Sequence, residues 1–170
     1  MRLDKQPLDF TPQKDDVFNH IKQQYVDAIV PMIGRFDYFY VIGRKTKLYN
    51  EIKKKCEYGY LYPAEFAVLC LDYIESCLNI EDTLKAISVV YYEYPLFVSC
   101  PYRPHSATWS HNHWHEIDPE RLEWLFKEVG YEIVQKKTIK IKHRKYGIRP
   151  FLRWILGGYR LNIYELKLVE

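Results

Sequence analysis

The chain has 170 residues, of which 48% are hydrophobic and 16% aromatic, and its net charge is +3. This composition supplies a buried core and excludes a disordered or collagen-like protein. No run reaches the roughly 18 consecutive apolar residues of a membrane helix. Residues 1–5 open no apolar run, so we expect no secretory signal. We interpret residues 1–170 as one domain that begins with a helical extension over residues 1–35.

The cysteines indicate a reducing compartment. Cys56, Cys70, Cys77 and Cys100 form no C-x-x-C pair and are scattered through apolar segments. Secreted disulfide scaffolds and zinc sites usually carry paired cysteines at short spacing. We therefore predict buried, reduced thiols and a cytoplasmic location.

The first predicted element is an amphipathic helix. Thr11 and Pro12 form a cap-plus-proline start, and apolar residues recur every three or four positions between Val17 and Ile29. We expect Pro31 and Gly34 to end this helix.

Three further helices are predicted downstream. The first is short and covers Leu48–Lys55. The second begins at a capping box at Asn79–Asp82 and is broken before Pro95. The third follows Asp118 and Pro119 and ends at Gly130, where a left-handed cap residue belongs.

Five strands alternate with these helices. They are predicted at residues 37–42, 66–71, 96–100, 131–141 and 161–168. The first three are continuous apolar runs, which is typical of strands buried on both faces. The alternation predicts an α/β fold, with a Rossmann-like, mainly parallel sheet flanked by helices.

Candidate ligand-binding residues follow the three buried strands. In open α/β sheets, ligands bind beyond the carboxyl ends of the strands. Here those ends carry Ile42-Gly43-Arg44, Asp72-Tyr73-Ile74-Glu75 and Ser99-Cys100-Pro101-Tyr102. A glycine lets a ligand approach the backbone, and a carboxylate accepts hydrogen bonds from a ribose or an amine. The other interpretation is that Gly43 is a plain turn and Asp72 caps the next helix.

A histidine-rich stretch follows the third strand. His111, His113 and His115 would share one face of a strand, a geometry that can bind zinc. No cysteine follows at ligand spacing, and the nearby carboxylates lie at a helix start, so we predict no metal site. Two interpretations remain: a general base or substrate-contacting histidine, and a loop of packed or solvated rings.

Charge is distributed unevenly. Residues 133–164 contain nine basic residues and no Asp or Glu, and they include the mixed segment Arg149–Gly158. This basic segment points to an anionic partner such as nucleic acid, or it solvates the outer face of a strand. The mixed segment could stack on bases, enter a membrane surface or cover the end of the sheet.

Three stretches resemble class I S-adenosylmethionine-dependent methyltransferases. His113–Val134 is similar to the late part of that family, where a loop with histidines leads into a helix and a glycine-aromatic-glutamate turn. Phe66–Ser76 is similar to its fourth strand and the following turn, and Leu96–Pro101 is similar to its fifth strand. The resemblance covers roughly residues 36–170 and implies a shortened methyltransferase-like topology.

The resemblance implies methyl transfer from S-adenosylmethionine to an unidentified small-molecule or nucleic-acid acceptor. Cofactor-binding residues would be Ile42, Gly43, Arg44, Asp72, Tyr73 and Glu75, and the catalytic residues facing the acceptor would be His111 and His113.

The chain departs from the family pattern after the first strand. The family's glycine-rich loop is reduced to Gly43, and the short stretch before Phe66 leaves room for one strand rather than two. Glu57 is the candidate for the ribose-binding acid. The alternative function is therefore a non-catalytic binding protein on the same scaffold. It would use its basic surface to hold nucleic acid or a protein partner.

Overall fold

The computed structural model describes residues 15–43, 47–56, 65–102, 117–141 and 159–169. Its helices are α1 (Asp15–Ile33), α2 (Lys47–Lys55), α3 (Ile80–Val90) and α4 (Pro119–Glu128). Its strands are β1 (Tyr38–Val41), β2 (Phe66–Leu71), β3 (Leu96–Tyr102), β4 (Tyr131–Ile141) and β5 (Tyr159–Leu168). A 3-10 turn, Ile74–Ser76, follows β2. None of these helices is both long and apolar enough to cross a membrane.

The five strands form one sheet in the order β1-β2-β3-β5-β4. Strands β1, β2 and β3 are parallel neighbours, and β5 lies antiparallel between β3 and β4. Four strands thus share one direction, and β5 alone runs against them. Helices α2, α3 and α4 lie between successive strands from β1 to β4. This alternation confirms the predicted Rossmann-like α/β class.

A hydrophobic core fills each face of the sheet. On one face, α1 and α2 pack on Leu69, Phe97 and Ile163. On the other face, α3 and α4 pack on Val68, Val98 and their neighbours. Successive strand residues point to opposite faces, so the central strands β2 and β3 contribute to both cores. This is why their sequences are almost continuously apolar.

Several sequence predictions are confirmed residue by residue. The bounds of β2 and β4 match the predicted ranges. Asn79 caps α3, because its side chain accepts a hydrogen bond from the backbone N–H of Asp82. Gly130 has a φ of 95°, the left-handed conformation expected just beyond α4. All four cysteines are buried free thiols.

Two predictions about the first elements are wrong. β1 was expected to be buried on both faces, yet Tyr38 is 46% exposed and Tyr40 39% exposed. The reason is that β1 is the first strand in the sheet order and pairs with β2 alone among the described strands. Pro31 does not end α1, which continues to Ile33. The proline removes one backbone hydrogen bond without breaking the helix, and Gly34, the other predicted end residue, directly follows the last helical residue.

The cap of α4 provides a test of this local structure. Asp118 accepts a hydrogen bond from the backbone N–H of Glu120 through Oδ1 (2.9 Å) and precedes Pro119. Replacing Asp118 by alanine leaves that donor without its side-chain acceptor, so we expect the free energy of unfolding to fall by about 1 kcal/mol. Urea denaturation measures the loss. Serine at the same position caps equally well, and an equal loss in Asp118→Ser would contradict the capping role.

Candidate functional site

The carboxyl ends of β1, β2 and β3 meet at one edge of the sheet, which we call the carboxyl edge. Ile42 and Gly43 follow β1, and the backbone N–H of Ile42 donates to the carbonyl of Leu69 in β2 (2.9 Å). Asp72 follows β2, whose last residue pairs in register with Ser99 of β3. In sheets of this class, ligands bind beyond this edge. The carboxyl edge is therefore the first place to look for chemistry.

Asp72 is held in an unusual conformation at the carboxyl edge. Its φ of 48° places it in the left-handed region, which aspartate tolerates better than most residues. Its backbone N–H donates to Ser99 Oγ (2.9 Å), and the Ser99 hydroxyl donates to Asp72 Oδ1 (3.2 Å). These two bonds tie the turn after β2 to β3. They also restrict the direction of the Asp72 carboxylate.

A third side chain reaches Asp72 from α1. The Tyr25 hydroxyl donates to Asp72 Oδ1 (3.0 Å) and lies in contact with the Ser99 hydroxyl. Tyr25 is 4% exposed and Ser99 is fully buried, whereas Asp72 is half-buried. We call Tyr25, Asp72 and Ser99 the Asp72 cluster. It presents a carboxylate of fixed orientation at the boundary between the core and the carboxyl edge.

Gly43 and Tyr73 lie together beside this cluster. Gly43 has a φ of 94°, and a Cβ atom built on it would come within 2.8 Å of Tyr73 Cδ2. Burial raises the pKa of the Tyr73 phenol, which therefore stays neutral at ordinary pH. The glycine thus accommodates the ring of Tyr73. The ring lies against the turn that follows β1.

Of the remaining predicted site residues, only Glu75 belongs to the described part of the chain, and it is buried. Glu75 lies in the 3-10 turn and is 1% exposed, in the interior beneath the carboxyl edge. Burial, together with the nearby Cys77 and Glu75, raises the pKa of the Cys70 thiol well above its usual value. Arg44, His111 and His113 lie outside the described residues. The described residues contain no group of three His, Cys, Asp or Glu side chains able to hold a metal.

Sequence reasoning missed Tyr25 and considered Ser99 only as part of a strand end. Tyr25 occupies the apolar stripe of α1, and nothing in the helical spacing separates it from core residues such as Ile29. Ser99 did carry a signal, because it is the one hydroxyl residue in the stretch 96–100, whose other four residues are apolar or cysteine. A buried hydroxyl needs a hydrogen-bond partner, and here the partner is Asp72.

Part of the basic segment is used within the chain. Lys136 in β4 forms an ion pair with Glu123 in α4 (2.6 Å). Lys137 donates to the carbonyl of Ala28 in α1 (2.9 Å). The mixed segment Arg149–Gly158 lies outside the described residues. Lys136 and Lys137 are thus engaged in contacts with α4 and α1.

Comparison with known proteins gives structural likenesses alone. No family model and no curated protein matches the sequence. One similar solved structure is the complex between the Haloferax volcanii Trm112 methyltransferase activator and a protein assigned as a methyltransferase. The match has a TM-score of 0.49 and 11% identity, over 88% of this chain and 79% of that one. A second is the methyltransferase domain of bacterial CtHen1-CN, with a TM-score of 0.44 and 13% identity, over 86% of this chain and 98% of that one.

Proposed function

We propose that this chain has a methyltransferase-like fold and transfers a methyl group from S-adenosylmethionine to an acceptor at its carboxyl edge. The observation that carries the proposal is the Asp72 cluster, which fixes a half-buried carboxylate beyond β2, where such sheets bind ligands. A surface aspartate that merely caps a turn does not need two buried hydroxyl groups to orient it.

The described residues fit such a cofactor in two respects. The Asp72 carboxylate can accept hydrogen bonds from an ammonium group or from ribose hydroxyls. The Tyr73 ring offers a flat apolar surface on which an adenine can stack. Ile42 and Gly43 form the adjoining turn of β1. When bound, S-adenosylmethionine supplies an already activated methyl group.

The protein's own contribution would be proximity and orientation. Tyr25 and Ser99 hold Asp72 in one direction before any ligand arrives, which lowers the entropic cost of binding. Glu75 lies too deep to contact a ligand in this conformation and would act by shaping the turn. His111 and His113 are proposed to face the acceptor.

The alternative is a binding protein on the same scaffold without catalysis. The observation that favours it is the position of the Tyr73 ring, which fills the space against Gly43 that a ligand would need to approach the backbone. In that case the basic segment would hold nucleic acid or another anionic partner. The four buried free cysteines suit a cytoplasmic location under either function.

Calorimetry with S-adenosylmethionine and its demethylated product tests cofactor binding. We expect micromolar affinity for the natural chain. Asp72→Asn should weaken binding about tenfold, because a charge-assisted hydrogen bond contributes roughly 1.5–3 kcal/mol. Tyr25→Phe should weaken it less, since it removes only an orienting hydroxyl. Asp82→Asn is the matched control, because Asp82 is an exposed residue of α3.

The same titration can contradict the proposal. If a folded sample gives no heat with either compound at high micromolar concentration, the binding-protein alternative is favoured. Equal affinities for Asp72→Asn and Asp82→Asn would instead place the cofactor away from the Asp72 cluster.

A further inference from the structure

A cavity of about 300 Å³ opens on the α3 face of the sheet, beside the edge strand β1. It is lined by one strand residue and by the end of α3 with the turn that follows: Tyr40, Val90, Tyr91, Tyr92, Glu93 and Tyr94. We call it the tyrosine pocket. It shares no residue with the Asp72 cluster or with the turn at Gly43, so it is separate from the carboxyl edge.

The walls of the tyrosine pocket are aromatic rings that support one another. The ring centroid of Tyr40 lies 5.3 Å from that of Tyr91 and 5.4 Å from that of Tyr94, and both pairs are tilted rather than stacked face to face. Tyr40 also stacks on Phe66 of β2 (5.8 Å). The rings of Tyr40, Tyr91 and Tyr94 are thus fixed by ring contacts before a ligand arrives. Tyr40 nevertheless remains 39% exposed and accessible from solvent.

The charge of the tyrosine pocket is negative. Glu93 is its one ionisable group besides the phenols, and none of the lining residues is basic. The Tyr92 hydroxyl donates to Glu93 Oε1 (2.7 Å), which brings the carboxylate next to an aromatic ring. That hydrogen bond raises the pKa of the Tyr92 phenol, so Tyr92 stays neutral at ordinary pH.

Aromatic faces next to a carboxylate attract one class of ligand. The negative face of a tyrosine ring attracts a cation. This attraction suits methylated ammonium groups, because their positively charged nitrogen is surrounded by apolar methyl groups that can contact the ring. A neutral apolar ligand would gain nothing from Glu93, and a metal ion would need more oxygen ligands than one carboxylate provides. The cavity volume lies at the lower end of the range for ligand sites, about 300–1,000 Å³, which suits a small molecule.

We propose that the tyrosine pocket binds a small quaternary ammonium compound, with the tyrosine rings around its methyl groups and Glu93 balancing its charge. This assignment is independent of methyl transfer, because it uses neither the Asp72 cluster nor the cofactor.

Titration with choline, followed by the NMR shifts of the tyrosine ring protons, tests the proposal. The comparison compound is the dimethylbutanol isomer (CH₃)₃C–CH₂CH₂OH, in which a carbon atom replaces the charged nitrogen of choline. We expect millimolar binding of choline and at least about tenfold weaker binding of dimethylbutanol, because the uncharged compound lacks the cation–π attraction. Shifts should be confined to the pocket tyrosines.

Variants measure the contributions of the Tyr92 ring and of the Glu93 charge to choline binding separately. Glu93→Gln keeps a hydrogen-bond acceptor for Tyr92 but removes the charge, and should weaken choline binding about 2- to 5-fold. Tyr92→Leu should weaken it to a similar extent. Tyr92→Phe keeps the ring and loses only the hydroxyl that holds Glu93, so it should weaken binding less than Tyr92→Leu does. Tyr92 is 63% exposed, so these changes should leave the fold intact. Trp124→Leu, at an exposed aromatic residue of α4 outside the pocket, is the control.

Three results would overturn the assignment. Equal binding of choline and dimethylbutanol would mean an apolar groove, and absence of any shift with choline would mean no site. Tighter binding of a trimethyllysine peptide than of choline would assign the pocket to a protein chain and not to a small molecule.

Discussion

Replacing Arg35 by methionine should lower the free energy of unfolding by about 3 kcal/mol. Arg35 follows α1, and its guanidinium donates to the carboxylate of Glu165 in β5. Glu165 is 3% exposed and shares its sheet face with neighbours that pack against α1. Without Arg35 the carboxylate would remain buried next to apolar groups with its main counter-charge gone. We expect the lower end of the known range because Arg35 itself is half exposed.

Two control variants test whether the loss of stability comes from leaving the Glu165 carboxylate buried without Arg35. The double variant Arg35→Met with Glu165→Met removes both charges and should recover most of the lost stability, since an apolar pair of similar volume often replaces a buried ion pair without loss. Lys55→Met breaks an exposed ion pair with Asp27 (2.9 Å) and should change stability by less than about 1 kcal/mol. Urea denaturation measures all three. An Arg35→Met loss as small as that of Lys55→Met would show that the buried pair is not stabilising.

Strand bounds and helix caps were predictable from the sequence, because nearby residues determine them. The bounds of β2 and β4 follow from an apolar run and from an alternating one, and the caps at Asn79 and Asp118 follow from side chains that bond to the backbone two or three residues away. Each of these signals lies within a few residues of the feature that it specifies. The resulting succession of strands and helices was sufficient to predict the α/β class.

Features that depend on strand order were not predictable. The sequence of β1 is as apolar and aromatic as a buried strand, but its position at the first place in the sheet order leaves Tyr38 and Tyr40 accessible. The exposed side of β1 is one wall of the tyrosine pocket.

The candidate site was only partly predictable, because some of its contacts join residues that are far apart in the sequence. Asp72 and Gly43 could be chosen because residues after buried strands of an α/β sheet lie at one edge. The hydrogen bond from Tyr25 to Asp72 joins residues 47 positions apart, and no spacing rule connects them. Glu165 likewise interrupts an apolar strand without indicating that its partner, Arg35, lies 130 positions earlier.

Alkaline pH should unfold this protein unusually steeply because of two buried tyrosines. Tyr131 in β4 is 4% exposed, and Tyr164 in β5 is fully buried. Burial raises the pKa of both phenols well above the usual value, and for Tyr164 the nearby Glu123 carboxylate raises it further. In the unfolded chain both phenols return to a pKa of about 10.

The sign of the effect follows from proton binding. Above pH of about 10 the unfolded chain loses both phenol protons while the folded chain keeps them, so the folded state binds more protons and stability falls as pH rises. Each tyrosine contributes a slope of about 1.4 kcal/mol per pH unit, and the two together about 2.7 kcal/mol per pH unit. Below pH of about 10 neither contributes any pH dependence.

Tyr131→Phe isolates one of the two contributions. Urea denaturation between about pH 10.5 and about pH 12 should show that this variant loses stability less steeply than the natural chain. The difference should approach about 1.4 kcal/mol per pH unit above pH of about 11. Comparing slopes and not absolute stabilities cancels the other groups that titrate in this range. Tyr38→Phe, at a tyrosine that is 46% exposed, should keep the natural slope. If Tyr131→Phe also keeps it, Tyr131 is not buried in the folded state, and the packing of β4 against α4 must differ from the one described.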